Sequence, residues 1–240
     1  MKFGGNPAIY DLDPYEESLY QQHPLGAIAF TNDGRKFRYC RPVATTVTGD
    51  CYSSAGQSST FETMAVPAIE PIGEDEIGVT NGTTTVAAND FDEGYLMISS
   101  STGIGQYSKI KSHTTGGSGA AITYTIEDPL KVAIATTSKV TVIKNPYDDV
   151  IIQATTPVAS TAGIACKAIT TAYYGWIQTG GPAACLWDAS VSAVDTLGVS
   201  SSTTTAGAVR VAAAGSEVIG LSMQVVPVSA YVGPVFLTID

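Results

Sequence analysis

From residue 23 onward the chain is built of short apolar segments separated by turn residues. Several alternate strictly between apolar and polar positions, as in Ala121-Ile122-Thr123-Tyr124-Thr125-Ile126 and Val140-Thr141-Val142-Ile143. A period of two puts every second side chain on the same face of a strand, so these segments predict half-buried β-strands. Gly94–Ser99, Tyr107–Lys111 and Lys131–Ile134 belong to the same series. Turn residues separate them at intervals of roughly ten, the spacing of an antiparallel barrel or sandwich. Leu25–Phe30 and Phe37–Cys40 flank Asn32-Asp33-Gly34, a β-hairpin signal because a tight turn needs residues that tolerate positive φ. Thr80-Asn81-Gly82-Thr83 carries the same chemistry and predicts a second hairpin.

The remaining segments follow from this frame. Residues 43–75 have loop composition, with Pro67 and Pro71. After Asn145-Pro146-Tyr147-Asp148-Asp149, strands are predicted at Tyr173–Gln178, Ala183–Trp187, Val194–Val199, Gly207–Val211, Val218–Val226 and Val235–Ile239. No helix longer than two turns is predicted; Ala212–Glu217 is short and ambiguous. Residues 1–22 lack a sustained period and read as an arm, with Asp13 able to cap one turn begun by Pro14. The expected organisation is all-β: an N-terminal arm (1–22), an antiparallel barrel or sandwich domain (23–149) and a compact, tulip-like β domain (150–240).

Composition narrows the function. Charged residues make up 14% of the chain, and only Lys167 and Arg210 are basic between residues 145 and 240, a poverty of charge that suits a subunit packed against neighbours. A net charge of −10 argues against a nucleic-acid ligand, which requires clustered Lys and Arg. No apolar run reaches 18 residues and no signal-type core opens the chain, so folding in a cytoplasm without a membrane anchor is expected. Cys40, Cys51, Cys166 and Cys185 lack metal or redox spacing. Cys40 could bridge to Cys51 across a hairpin and Cys166 to Cys185 likewise, but buried free thiols are the favoured reading.

Candidate catalytic chemistry is sparse. Asp90, Asp92 and Glu93 could act as paired acids or bind calcium, yet Asn89–Gly94 also reads as a solvated turn before a strand, as does Glu74-Asp75-Glu76. His23 and His113 lie in no nucleophile motif. The glycines at 103–105 and 116–119 lack the lysine and helix of a phosphate loop. Tyr173, Tyr174, Trp176 and Trp187 could form a sugar-stacking platform, but core on one face and interface on the other is the preferred reading. No catalytic, cofactor or metal site is assigned. The arm either hangs free as a solvated tail or docks on a partner; for docking, Tyr10, Tyr15 and Tyr20 are singled out as anchors, because tyrosine offers large contact area at low entropic cost.

A set of phrases recurs in order: His23-Pro24-Leu25-Gly26, Asp33-Gly34-Arg35-Lys36-Phe37-Arg38-Tyr39, Glu93-Gly94-Tyr95-Leu96, Ile110-Lys111-Ser112-His113, Glu127-Asp128-Pro129-Leu130, Lys144-Asn145-Pro146-Tyr147 and Tyr174-Gly175-Trp176-Ile177-Gln178-Thr179. In that combination residues 23–240 resemble a family of tailed-bacteriophage virion proteins of the capsid decoration, or cement, type. The resemblance implies a non-enzymatic structural protein, assembled in the host cytoplasm, that binds the major coat protein on the capsid exterior, often as a trimer, and stabilises the shell. Tyr10, Tyr15 and Tyr20 would then be coat contacts, with Trp176 and Trp187 as interface and organising residues. A head-fibre or tail component recognising a host glycan is the alternative, and a hydrolase using the Asp90–Glu93 acids a more distant one.

Overall fold

The computed structural model describes residues 8–189, 197–226 and 230–240. The described chain is almost entirely β, as the alternation predicts; one short 3-10 turn at Ser59–Phe61 is its only helical element. It divides into two compact units. One is continuous, Gln57–Asn145, and the other is assembled from both ends of the chain, Met1–Gly56 and Pro146–Asp240.

The strands in chain order are β1 (Ile9–Tyr10), β2 (Ile28–Phe30), β3 (Lys36–Cys40), β4 (Cys51–Ser53), β5 (Met64–Ala65), β6 (Glu76–Thr80), β7 (Tyr95–Ser100), β8 (Tyr107–His113), β9 (Ala121–Ile126), β10 (Lys139–Ile143), β11 (Ile151–Ile152), β12 (Thr161–Ala165), β13 (Gly175–Trp187), β14 (Gly198–Ser201), β15 (Val209–Val211), β16 (Gly220–Ser222) and β17 (Tyr231–Thr238).

In the continuous unit, β10-β5-β6-β9-β8-β7 close into an antiparallel barrel. Alternation does the sorting: on β9, Ile122, Tyr124 and Ile126 point inward, while Ala121, Thr123 and Thr125 face out. Ile77 lies opposite Tyr124 and Val79 opposite Ile122 on β6. Leu96, Ile98, Ile110, Val140 and Val142 complete an apolar interior that Phe91, Leu130 and Ile134 cap. Each fully buried aliphatic side chain contributes about 2 kcal/mol through removal from water. The predicted strand Lys131–Ile134 does not form. Pro129 precedes it, and the Gln106 side chain takes the Lys131 and Val132 N–H groups that a ladder would need, at 2.7 and 2.9 Å. Asn81-Gly82 also turns the chain without making a hairpin, because β6 pairs with β5 and β9 instead. The buried Asn81 amide bonds Thr84 O and Gly117 O, tying two loops together.

In the discontinuous unit the predicted hairpin is present: β2 and β3 pair in register, Ile28 opposite Arg38, around a turn in which Gly34 has φ of 84°. The two segments expected at 173–178 and 183–187 are one strand, β13. It runs through Gly180, Gly181 and Pro182 with an irregularity between Gln178 and Gly180 that absorbs an extra residue. Its first half lies between β3 and β12, and its second half pairs with all of β17. The ladder β13-β15-β14-β16-β17 returns to β13, enclosing Ala183, Cys185, Trp187, Val199, Val209, Val235 and Leu237. The tight neighbour relations explain two glycines. A Cβ on Gly220 would sit 2.4 Å from Phe236 O, and one on Gly233 would reach Trp187 Nε1 at 3.0 Å.

These pairings move the expected domain boundaries. The hairpin 28–40 is expected in one domain with the rest of residues 23–149, but β3 finds its partner in β13, so the break falls at 56/57 and 145/146 instead of at 22/23 and 149/150. The arm is part of this unit too: β1 adds to β2 in parallel. Of the predicted strand 194–199, the structure describes the end as the start of β14; residues 190–196 lie outside the described residues. Ala212–Glu217 forms turns and no helix.

Because the barrel closes on its own core, residues 57–145 expressed alone are expected to unfold in one cooperative transition, and Ile110→Ala to cost about 2–5 kcal/mol in urea denaturation. A featureless melt of the isolated segment would refute its independence.

Candidate interaction surface

The residues singled out for catalysis are held in structural roles. Asn89–Gly94 is a turn in which Asn89 and Glu93 adopt φ of 65° and 60°. Asp90 accepts the Ala87 N–H at 2.8 Å, and Glu93 pairs with Lys109 at 3.1 Å. Asp92 lies 3.8 Å from His113 Nε2, and burial raises its pKa. His113 has its side chain fully enclosed. Its Nε2 accepts the Phe91 N–H at 3.0 Å, which leaves Nδ1 to donate to Thr114 O at 3.0 Å. His23 packs edge-on to Tyr39 and against Trp176, where burial lowers its pKa. Asp75 pairs with Lys111 at 3.6 Å. Among the described residues no three His, Cys, Asp or Glu side chains gather as a metal site.

All four cysteines are free thiols. Cys40, Cys51 and Cys185 are buried, and burial pushes the Cys51 thiol up to about 12 and the partly buried Cys166 to about 11. A thiolate nucleophile is strongly disfavoured at each of those two positions.

Trp176 and Trp187 are only 4% and 0% exposed, so the expectation that they offer an interface is corrected. They organise cores instead. Trp176 joins Ala29, Phe37 and Tyr39, with Tyr39 stacked in turn on Tyr174 at 5.8 Å. Trp187 sits inside the β13–β17 ring.

The arm behaves differently. Tyr10, Tyr15 and Tyr20 are 75%, 58% and 75% exposed, yet the backbone that carries them is pinned. Leu12 N–H bonds Phe30 O at 3.0 Å, and the Tyr10 ring stacks on Phe30. Lys167 Nζ donates to Tyr15 O at 2.6 Å. Glu17 accepts the Thr170 N–H at 2.8 Å, and Ser18 exchanges two backbone hydrogen bonds with Tyr174. The Gln22 N–H donates to the Tyr39 hydroxyl at 3.0 Å. The helical turn expected after Asp13 does not form; Pro14 and Tyr15 make a plain turn in which the Tyr15 N–H donates to the Asp13 side chain at 2.9 Å, and Ser18 is drawn into a bridge with Tyr174.

Two further features were not singled out in the sequence. On the outside of β13, β17 and β16, Pro182, Phe236 and Leu221 lie side by side, with Ala184 opposite Pro234 and Leu186 opposite Val232. The available signal was in β17, Tyr-Val-Gly-Pro-Val-Phe-Leu-Thr, which is apolar at both odd and even positions, unlike a strand with one face in water. In the continuous unit, a cavity of about 290 Å³ is floored by Leu96, Ile98, Ile126 and Leu130. Tyr107 lines it, over half exposed and stacked on Tyr95 at 5.0 Å. This pair comes from outward positions of β7 and β8; on β8 an aromatic ahead of Lys109 and Lys111 was the available clue.

Comparison with known protein families, with curated proteins and with solved structures finds no match for the chain.

The hydrogen bond from Thr170 N–H, assisted by Lys167, lowers the Glu17 pKa despite some opposition from desolvation. A carboxylate whose folded pKa is depressed contributes above its unfolded pKa and ceases to contribute as pH falls through the folded value. Proteolysis within the arm is therefore expected to accelerate on acidification below the ordinary carboxylate range, and Glu17→Gln to show the same acceleration at pH 7. Equal cleavage rates at both pH values would remove Glu17 from the arm's anchorage.

Proposed function

We propose that this chain is a non-enzymatic virion protein of the capsid decoration type, which binds coat protein on the outside of a phage shell and reinforces it. The observation that carries this reading is the arm. Three tyrosines stand more than half exposed on a ribbon that is already fixed to its own domain. Exposed side chains on a pre-ordered backbone lose little entropy on docking, and tyrosine is among the residues that dominate binding energy at interfaces. The acidic chain, at −10, would stay soluble at high copy number before assembly and would complement a basic coat surface. The resemblance drawn from the ordered phrases between His23 and Thr179 is what suggested this reading.

Substituting Tyr10, Tyr15 and Tyr20 together by alanine is expected to weaken capsid binding at least about tenfold. Thermal stability should be nearly unchanged, since none of the three rings is buried. Sedimentation of empty capsids with wild-type or variant protein measures the first, and cryo-electron microscopy of virions locates the chain. Density over the coat lattice that disappears with the triple variant supports the reading; full occupancy by the variant removes the arm from it.

A second reading, recognition of a host glycan by a head fibre or tail component, draws support from Tyr107 beside the cavity. The side chains of Asp128 and Lys131 also line it. Binding to an immobilised glycan panel that Tyr107→Ala abolishes would favour it, as would virion density confined to the tail.

A further inference from the structure

We propose that the crevice of the continuous unit, which opens between the start of β8 and residues 126–131, binds one small, neutral, apolar molecule. The site belongs to a different unit from the arm, and its ligand is chemically unlike a glycan. Leu96 and Ile98 on β7, Ile126 at the end of β9 and Leu130 beyond it supply the floor, and none of the four has a side chain that can hydrogen-bond. The polar groups around that floor are already engaged. Gln106 Oε1 accepts the Lys131 and Val132 N–H groups, while Nε2 of the same amide donates to Val132 O at 2.9 Å and to Gly103 O at 3.2 Å. The Ser108 hydroxyl accepts the Asp128 N–H at 2.8 Å. Leu130 N–H bonds Glu74 O at 2.9 Å, and Pro129 has no N–H to give. From Asp128 to Val132, every backbone donor is therefore spent inside the protein. A sugar or other polar ligand entering here would give up its bonds to water without replacing them, which costs it affinity. An apolar ligand has no such bonds to lose.

Size and charge narrow the class. The crevice holds about 290 Å³, roughly twice the volume of an apolar cavity known to take benzene, about 150 Å³. A fused pair of rings, or a short chain of similar bulk, fits that space. Its lining includes one carboxylate and one ammonium, Asp128 and Lys131, so the field there favours neither an anion nor a cation. Tyr107 lines the same opening, over half exposed and backed by Tyr95, and offers an aromatic wall. The four hydrogen bonds of Gln106 brace residues 103 and 131–132 against the start of β8. The walls are thus set before a ligand arrives, and binding carries little ordering cost.

The test is a titration of the isotopically labelled intact chain with indole, a neutral two-ring probe, followed through amide chemical shifts. Saturable shifts confined to residues 96–98, 106–108 and 126–132 are expected, with a dissociation constant below about 1 mM. Indole-3-acetate carries the same rings with a charge and methyl glucoside offers hydroxyls; both should bind more weakly than indole. Leu130→Phe puts a ring into the crevice and Tyr107→Ala removes its exposed wall, and each should raise the constant for indole at least about tenfold. Because Tyr107 lies outside the core, its truncation serves even where Leu130→Phe fails to fold, as circular dichroism will show. Val158→Ala, in the other unit, should bind as wild type does. Absence of saturation, shifts centred elsewhere, or wild-type affinity in folded Tyr107→Ala would each overturn the proposal. So would tighter binding of indole-3-acetate or of methyl glucoside, the latter in favour of glycan recognition.

Discussion

The discontinuous unit depends on the backbone ladder of one strand, β13. It is the longest strand among the described residues and has hydrogen-bonded partners on both edges: β3 and β12 along its first half, β17 and β15 along its second. Close approach is secured by residues without side chains. A Cβ at Gly163 would meet Gln178 O at 2.8 Å, and one at Gly180 would meet the Lys36 Cβ at 3.1 Å. The local irregularity after Gln178 lets one strand serve several cores. Trp176 enters the aromatic cluster with Tyr39, Ile177 the cluster with Cys40 and Val150, and Trp187 the interior of the closed ring. Near the start of β13 both faces are covered; toward its end only one is, which leaves the row Pro182, Ala184, Leu186 outside.

That same strand positions the arm. Tyr174 sits immediately before β13 and bonds Ser18 through the backbone, while Tyr39, on the adjacent strand β3, holds Gln22 through its hydroxyl. The C-terminal Asp240 pairs with Lys36 at 3.4 Å and with Arg38, so the last residue of the chain also returns to β3. Exposed tyrosines are thus carried on a ribbon whose anchors trace back to the most heavily paired segment of the fold.

Much of this was legible in the chain. The alternation in 121–126 and 140–143 sorted inward from outward residues as the barrel does, and Asn32-Asp33-Gly34 marked its hairpin, because both signals are local. The misreadings share a cause. Gly180-Gly181-Pro182 reads locally as a break, yet β17 supplies a partner across it and the strand continues. Lys131–Ile134 reads as a strand, yet a single glutamine side chain satisfies the backbone groups it would need. Trp176 and Trp187, read as aromatics with core on one face and interface on the other, are enclosed by long-range pairing instead. The site was less legible than the fold: tyrosines 10, 15 and 20 could be named from composition, but that the arm is fixed depends on Glu17, Lys167 and Tyr174, which only folding brings together.

The interruption of one unit by another has a consequence for how the molecule is made. During synthesis residues 1–56 emerge first, but Cys40 must wait for Gly175 before β3 has its principal neighbour. Residues 57–145 meanwhile contain everything their barrel requires, and the Lys144 N–H bonds the Gln57 side chain at 3.1 Å, so the two ends of that segment meet when it folds. A long floppy loop thereby becomes a short clip, and the entropic cost of bringing β3 to β13 falls with the effective length between them. The inserted barrel acts, in this sense, as an internal folding aid for the chain that surrounds it.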